Sequence, residues 1–439
     1  MKRLLRAALE GVVRLYYPVL DAEGLDALGA DRAYLFVLNH PNGLLDPVVL
    51  RIALRRPVAF LAKSTLFGNP VGRAAMATFD AIPVRRAKES DGAGADRNEE
   101  TFARCRDALA RGISVALFPE GTSHSDPSLK RLKTGAARIA LSAELEQHRA
   151  LQVVPVGLFY EAKATFRSRV LLSAGVPVDV APFAAQGDGP EAVDAVTTAL
   201  REALDAVVLQ ADTRALLEGI ARVARWTAPT PGSSADLATS RRRASDLLRR
   251  HRALVADDPA RAAALVEAGR RYVSAMEHLG VRDAWALEPG AERASVVATS
   301  AAGLVVLAPL ALAGAVLGWP MYRLAGVVAG RAAREEDVRG TAKLLAGLVF
   351  VPAGWFASAA VVSALVGLRA GLACFVLAAT GGWAALRWEE LAVGAAHALR
   401  SAWLRRRHPE VAAAMVAKRR ELADALASAL HDETAQREG

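Results

Sequence analysis

An α/β domain with a mostly parallel sheet flanked by helices, then a helical region and a C-terminal α-helical membrane region, is the architecture this 439-residue chain predicts. Three observations carry it. Between residues 33 and 180, short β-rich runs alternate with helical patterns, as strands joined by crossover helices do. A Pro/Gly/Ser-rich stretch near residue 230 separates that part from an arginine-rich helical pair. Beyond Arg293, uncharged runs appear that are long enough to cross a bilayer. A chain of this length exceeds one core. It divides into an α/β part over 1–226, a linker and helical pair over 227–290, apolar helices over 291–390 and a charged helical tail over 391–439.

In chain order, the opening MKRLLRAALEGVVRLYY breaks its apolar run with Arg6, Glu10 and Arg14. That pattern argues against a secretory signal and for an amphipathic helix, lying on a membrane or on the protein's own core. The strand candidates are YLFVL, PVAFLAK, AIPV, ISVALF, QVVPVGLF and RVLLSAG, with helical patterns over 97–111 and 134–147. A helical segment reaches Trp226, TAPTPGSSAD forms the linker, and the helical pair over 237–285 is bounded by EPGAE. No charge occurs from Ala294 to Tyr322 or from Leu344 to Leu368, and only Arg369 interrupts before Arg387.

The charges around these runs set an expected topology. Arg323, Arg331, Arg334, Arg339 and Lys343 follow the first run, and Arg387, Arg400 and Arg405 to Arg407 follow the last. Positive-inside bias puts both segments in the cytosol. Two true spans, 344–368 and 370–386, then follow a re-entrant hairpin over 294–322 that bends at Pro309. Each arm of that hairpin would reach only ~20 Å, short of the roughly 30 Å core.

The composition is 53% hydrophobic, and the net charge of +9 suits an anionic partner: a phospholipid surface, nucleic acid or a phosphorylated substrate. The basic clusters SRRRASDLLRRHR and WLRRRH lack interleaved aromatics and sit beside membrane-like segments, which argues against nucleic acid. Cys105 and Cys374 lie far apart and make neither a disulfide framework nor a metal set. No metal cluster, phosphate loop or dinucleotide fingerprint is present, so no metal and no cofactor is expected.

Four short stretches stand out in the α/β part. LNHPNGLLDP places Asn39 and His40 directly after a strand, with Asp46 in the same turn. AIPVRR sets Arg85 and Arg86 after another strand, FPEGTSHSD follows a third, and VVPVGLFY carries Pro155 in a strand-like run. Singly, each has a plain structural reading: a solvated histidine, a strand edge, good turn chemistry. Together they all follow or end strands, which puts a base, a carboxylate, cations and Glu120 on one rim of one sheet. His40 suits a general base near pH 7, with Asp46 holding its tautomer. Arg85 and Arg86 suit a bidentate grip on phosphate.

On these blocks the chain resembles the glycerolipid acyltransferases that acylate glycerol-3-phosphate and lysophosphatidic acid. The matching residues are His40 with Asp46, Ile82-Pro83-Val84-Arg85-Arg86, Phe118-Pro119-Glu120-Gly121-Thr122 and Val154-Pro155-Val156, in family order over roughly residues 30–180. The gap between His40 and Asp46 is one residue longer than the family's usual one. It is similar to that of the glycerol-3-phosphate/dihydroxyacetone-phosphate branch, as are SHSDPSLKRLKTGAARIAL, FRSRVLL and the hydrophobic C-terminal region.

The resemblance implies His40 and Asp46 as catalytic residues. It implies Asn39, Arg85, Arg86, Glu120, Gly121, Thr122 and Lys133 as substrate-binding residues. Ser123 stands where many members carry arginine, and His124, Lys130, Arg131 and Lys133 are candidate replacements. The expected partners are a phospholipid membrane, acyl-CoA or acyl carrier protein as co-substrate, and a phosphorylated glycerol acceptor. The expected location is the inner cell membrane, multi-pass, with the catalytic domain cytosolic. The alternatives are a catalytically inactive membrane scaffold or transporter and an anionic-surface binder; the intact His40, Asp46 and Glu120 argue against the first.

Overall fold

The first unit is built outward from Leu35-Phe36-Val37-Leu38, four residues wholly buried on both faces. The computed structural model describes residues 2–84, 94–147, 150–228, 236–283, 285–288, 294–333 and 335–428. Arg85 and Arg86, the middle of the expected linker and most of EPGAE lie outside the described residues. The chain divides into two units, Met1–Asp212 with Arg334–Thr341, and Thr213–Ala333 with Ala342–Gly439.

Among the described residues the sheet of the first unit has eight strands. They are β1 (Val19–Glu23), β2 (Leu35–Leu38), β3 (Val58–Lys63) and β4 (Ile82–Val84), then β5 (Ser114–Leu117), β6 (Gln152–Tyr160), β7 (Arg169–Ala174) and β8 (Val178–Asp179). Their order is β1-β7-β6-β2-β5-β3-β4, with β8 beside β6. From β6 across to β4 the strands run parallel, and β7 and β8 join β6 antiparallel. The helices are α1 (Lys2–Tyr16), α2 (Leu45–Leu54), α3 (Pro70–Thr78), α4 (Gly94–Ala110), α5 (Gly135–Gln147), α6 (Ala181–Ala184) and α7 (Pro190–Val207).

All six expected strands form. β1 and β8 were not expected: β1 carries Asp21 and Glu23 on a half-exposed edge without alternation, and β8 has two residues. On one face, Leu35, Val37, Val115 and Val153 pack in one cluster with Cys105, Leu109, Ile139, Ala140, Val196 and Leu200 from α4, α5 and α7. Helix α1 lies on the protein's own core: Val13, Tyr16 and Tyr17 are buried, and Arg6 pairs with Asp80 at 2.8 Å.

Pro155 does not interrupt its strand. It pairs with Val37 inside β6, in the gap where the β7 ladder has ended at Ala174 and the β8 ladder has not begun. Its carbonyl still accepts from Gly175 N at 2.8 Å, so the missing N–H falls where a ladder partner is already absent. The Val154-Pro155-Val156 block is therefore a buried mid-strand element rather than part of the rim, which corrects the expectation that every block follows or ends a strand.

The second unit contains α8 (Arg214–Trp226), α9 (Leu237–Asp257), α10 (Pro259–His278), α11 (Ala294–Ala332), α13 (Leu368–Arg407) and α14 (Pro409–Ser428), and α12 (Glu336–Val366) from Ala342 onward. Trp226, Tyr272, Met276, Leu287, Leu404 and Leu422 share one core there. Arg419, a desolvated cation, lies 3.8 Å over the Trp285 ring and pairs with Glu288. The α11 and α13 backbones meet at Gly314 and Gly381, where a Cβ on either would strike the other.

Among the described residues three helices, Ser300–Ala332, Glu336–Val366 and Leu368–Arg407, are long and apolar enough to cross a membrane. The re-entrant hairpin does not form. α11 stays helical through both Pro309 and Pro320 for 39 residues. A proline removes one helical N–H and crowds one carbonyl, which a long apolar helix absorbs locally without reversing.

Burial of acids in both units predicts alkaline lability. Desolvation pushes the Cys105 thiol up from 9.0 to about 12, and Tyr272 rises from 10.0 to about 12, first through burial. Below pH ~9 the thiol is neutral in folded and unfolded chains alike; above it the unfolded chain ionises first. Its contribution is thus fully present below about pH 9 and is lost as pH rises towards 12, at up to ~1.4 kcal/mol per pH unit. Urea midpoints should fall across this range, and Cys105→Ala should flatten the slope.

Candidate active site

The parallel register of β2 and β5 brings two loops side by side. Val37 pairs with Leu117, so Asn39-His40 and Phe118-Pro119-Glu120 leave the sheet together. The chain reverses after His40 through Gly43, whose φ of +45° is a conformation that favours glycine. Leu45 N then donates to Asn42 O at 3.0 Å, and α2 begins. Asp46 stands in the first turn of α2, so the longer gap after His40 is taken up by this turn.

The Asp46 side chain is fully buried. His40 Nδ1 lies 2.8 Å from its Oδ2, and Asn42 N donates to the same oxygen at 2.8 Å. The Tyr160 hydroxyl donates to Oδ1 at 2.6 Å. Burial, and then the nearby Asp46 charge, hold the Tyr160 hydroxyl well above its usual pKa, so it stays a neutral donor. A carboxylate accepting at Nδ1 assigns that proton to Nδ1 and leaves Nε2 with the lone pair. Nε2 has no protein partner among the described residues, and the side chain keeps 17% exposure. The ring lies flat on Phe118, with centroids 3.8 Å apart and planes at 11°.

Glu120 braces the histidine from the second loop. Its Oε1 accepts from His40 N at 3.2 Å, its Oε2 accepts from Lys130 N at 2.7 Å, and His124 Nε2 also bonds Oε2. His124 N in turn donates to His40 O at 3.0 Å. Gly121 has φ +72°, and the Lys133 side chain occupies the space a Cβ there would need. Thr122 Oγ1 donates to Ser123 O at 3.3 Å, and Lys133 itself is exposed.

Three of the expected residues are engaged by the protein's own loops. Asn39 was expected to bind substrate, but its amide is spent on backbone: Leu158 N donates to Oδ1 at 2.7 Å and Nδ2 donates to Leu158 O at 3.2 Å. It continues the β2–β6 ladder by one step. Glu120 was also expected at the substrate, and the structure turns both of its oxygens onto loop groups and the His40 amide. His124 is likewise given over to Glu120 and is not a free replacement for an arginine at Ser123.

Several residues around the pair were not singled out from sequence. Tyr17 OH donates to Lys163 O at 2.6 Å and accepts from Asn42 Nδ2 at 2.7 Å. Lys163 Nζ donates to Pro41 O at 3.0 Å and to Ser125 Oγ at 2.5 Å, tying the two loops together. Tyr160 ends a quoted strand run, which is a usable signal. Tyr17 and Lys163 sit among ordinary residues and gave none.

The segment that carries this His40–Asp46 pair matches a known family. Residues 19–158 match the acyltransferase family model. This segment is an acyltransferase domain. Glycerol-3-phosphate O-acyltransferase 2 of Saccharomyces cerevisiae is 43% identical over 84 residues, 19% of this chain and 11% of that protein. Glycerol-3-phosphate O-acyltransferase 1 of the same yeast is 26% identical over 275 residues, 57% of this chain and 35% of that one. A chloroplast 1-acyl-sn-glycerol-3-phosphate acyltransferase of Arabidopsis thaliana is 29% identical over 145 residues, 33% of this chain and 37% of that protein. The chain spans little more than a third of the length of these relatives at most.

The acyltransferase domain gives one test of its electrostatics. Tyr160→Phe removes a donor from the buried Asp46 carboxylate, and a hydrogen bond to a charged group contributes about 1.5–3 kcal/mol. Denaturant unfolding should show a loss of that size. A change below ~0.5 kcal/mol means that Oδ1 finds another donor.

Proposed function

We propose that this protein is a membrane-bound glycerolipid acyltransferase. It moves a fatty acyl group from acyl-CoA or acyl carrier protein to a hydroxyl of glycerol-3-phosphate or lysophosphatidic acid, in phospholipid synthesis. The observation that carries this reading is the His40–Asp46 pair, with its Nε2 unpartnered, in a domain of this family. A neutral hydroxyl attacks a thioester poorly until a base takes its proton. His40 Nε2 removes that proton as the acceptor oxygen bonds to the carbonyl carbon. When the C–S bond breaks, the imidazolium returns the proton to the departing thiolate. Asp46 fixes the ring and stabilises the imidazolium between these steps. The acceptor's own hydroxyl takes the place of an enzyme nucleophile.

The acceptor phosphate is assigned to Arg85, Arg86 and Lys133. Arg85 and Arg86 directly follow β4 in sequence and suit a bidentate grip on phosphate. Lys133, exposed and lying against Gly121, supplies the cation on the nearer loop. Three membrane-capable helices support residence in a membrane. A thioester donor made in the cytosol supports a cytosolic catalytic face.

Purified protein assayed with each acceptor and each donor tests the reading directly. His40→Ala should lower acyl transfer by roughly 10²–10⁴ while thermal unfolding stays cooperative, and Asp46→Asn should cost nearly as much. Activity of His40→Ala within about twofold of wild type rules out the base mechanism. Replacing Arg85 and Arg86 together should raise KM for the phosphorylated acceptor more than it lowers kcat. An unchanged KM would put the phosphate elsewhere.

A further inference from the structure

The turn that carries the dyad is packed by a segment far downstream in sequence. Asp337, Gly340 and Thr341 lie at the start of α12 and belong to the first unit. Asp337 and Thr341 are 4% and 6% exposed despite their polar side chains. A Cβ on Gly340 would stand 2.8 Å from both Asn42 Oδ1 and the Lys163 carbonyl oxygen. On the neighbouring residue of the turn, a Cβ on Gly43 would meet the Asp337 carbonyl at 3.3 Å and Thr341 Oγ1 at 3.6 Å. Glycine faces the turn from one side and glycine faces α12 from the other.

The groups that α12 touches are those that shape the dyad. Asn42 N shares Asp46 Oδ2 with His40 Nδ1. The Asn42 side chain is held between the Tyr17 hydroxyl and Gly340. Lys163, whose carbonyl borders Gly340, holds Pro41 O through its ammonium. Asn42 is fully buried and cannot shift outward without displacing α12. Displacing Asn42 N would loosen the carboxylate that orients His40.

We propose that the first turns of α12, through Gly340 and Thr341, are a positioning element of the acyl-transfer site. They fix the Pro41–Gly43 turn and, through it, the His40–Asp46 contact. The proposal rests on the acyltransferase reading. It means that the catalytic unit is completed by the head of a helix whose uncharged run begins at Leu344, four residues after Gly340. The α/β segment before residue 212 lacks one wall of its own active-site turn.

Gly340→Ala in the full-length, detergent-solubilised protein discriminates sharply. On helix propensity alone this change stabilises α12; on the packing described, it pushes on Asn42 and Lys163. Small misplacements of catalytic groups cost up to about 100-fold in rate. kcat should fall roughly 10–100-fold with KM for donor and acceptor within about twofold, and the acid limb of the kcat/KM profile should move. Hydrogen exchange in peptides spanning 38–46 should rise while β5 and β6 keep their protection. Thr341→Ala, which opens space beside Gly43, should reproduce the exchange change and a weaker kcat loss if Gly340→Ala folds poorly. Unchanged exchange over 38–46 in both variants overturns the proposal, as does a kcat and pH profile within about twofold of wild type. A wild-type protein silent in every acyl-transfer assay removes the activity reading, and the exchange arm still decides whether α12 positions the turn.

Discussion

One buried carboxylate, Asp46, sets the conditions that the surrounding structure meets. Burying a carboxylate is costly unless donors surround it. Here the donors come from the end of β6, from the turn after β2 and from the His40 ring. They come from two separate pieces of chain, the turn after β2 and the end of β6, so satisfying Asp46 fixes the relative positions of α2, the turn and the sheet. The helix start adds a favourable field for the negative charge. A single tautomer of His40 follows from that arrangement, with the lone pair on Nε2. Glu120 repeats the device on the neighbouring loop, where its two oxygens bind groups on three residues.

Much of this was legible in the sequence. Alternating β-rich and helical runs gave all six main strands, and the placement of His40 and Phe118 after parallel strands gave their adjacency. The miscues have particular causes. LLDPVVLRIAL, which forms α2, has the β-branched residues and the proline of a strand edge, and its helical period is too short to stand out. The start of α3 carried a readable signal in Asn69-Pro70, where Asn69 Oδ1 caps Gly72 N at 2.7 Å. β1 pairs only through β7 at the sheet edge, and pairing over such separations leaves no local trace.

Side-chain roles were less legible than positions. Asn39 and Glu120 stand where the family's blocks suggest contact with substrate, yet Asn39 spends its amide on the Leu158 backbone and Glu120 its oxygens on two backbone amides and the His124 ring. Residue type and spacing report that a polar group is needed at a strand end. They do not report whether it faces the ligand or the loop that holds the ligand. The contribution of Gly340 and Thr341 was invisible for a stronger reason: nothing in an apolar helix far downstream marks its first turns as part of another unit.

The bracing of the two loops also bears on how phosphate and base stay in register. His40 and Lys130 are joined through the Glu120 carboxylate, and Lys163 links Pro41 to Ser125 across the same gap. The two loops, which on the proposed function grip and deprotonate the acceptor, are therefore one hydrogen-bonded body. For acyl transfer to a small phosphorylated alcohol this matters more than grip strength, because the reacting hydroxyl lies only a few bonds from the phosphate. An error in the spacing of the two loops would be carried undiminished to the attacking oxygen, and near-attack geometry tolerates little of it. The abundance of side-chain-to-backbone bonds among the described residues of this rim is what the proposed reaction requires.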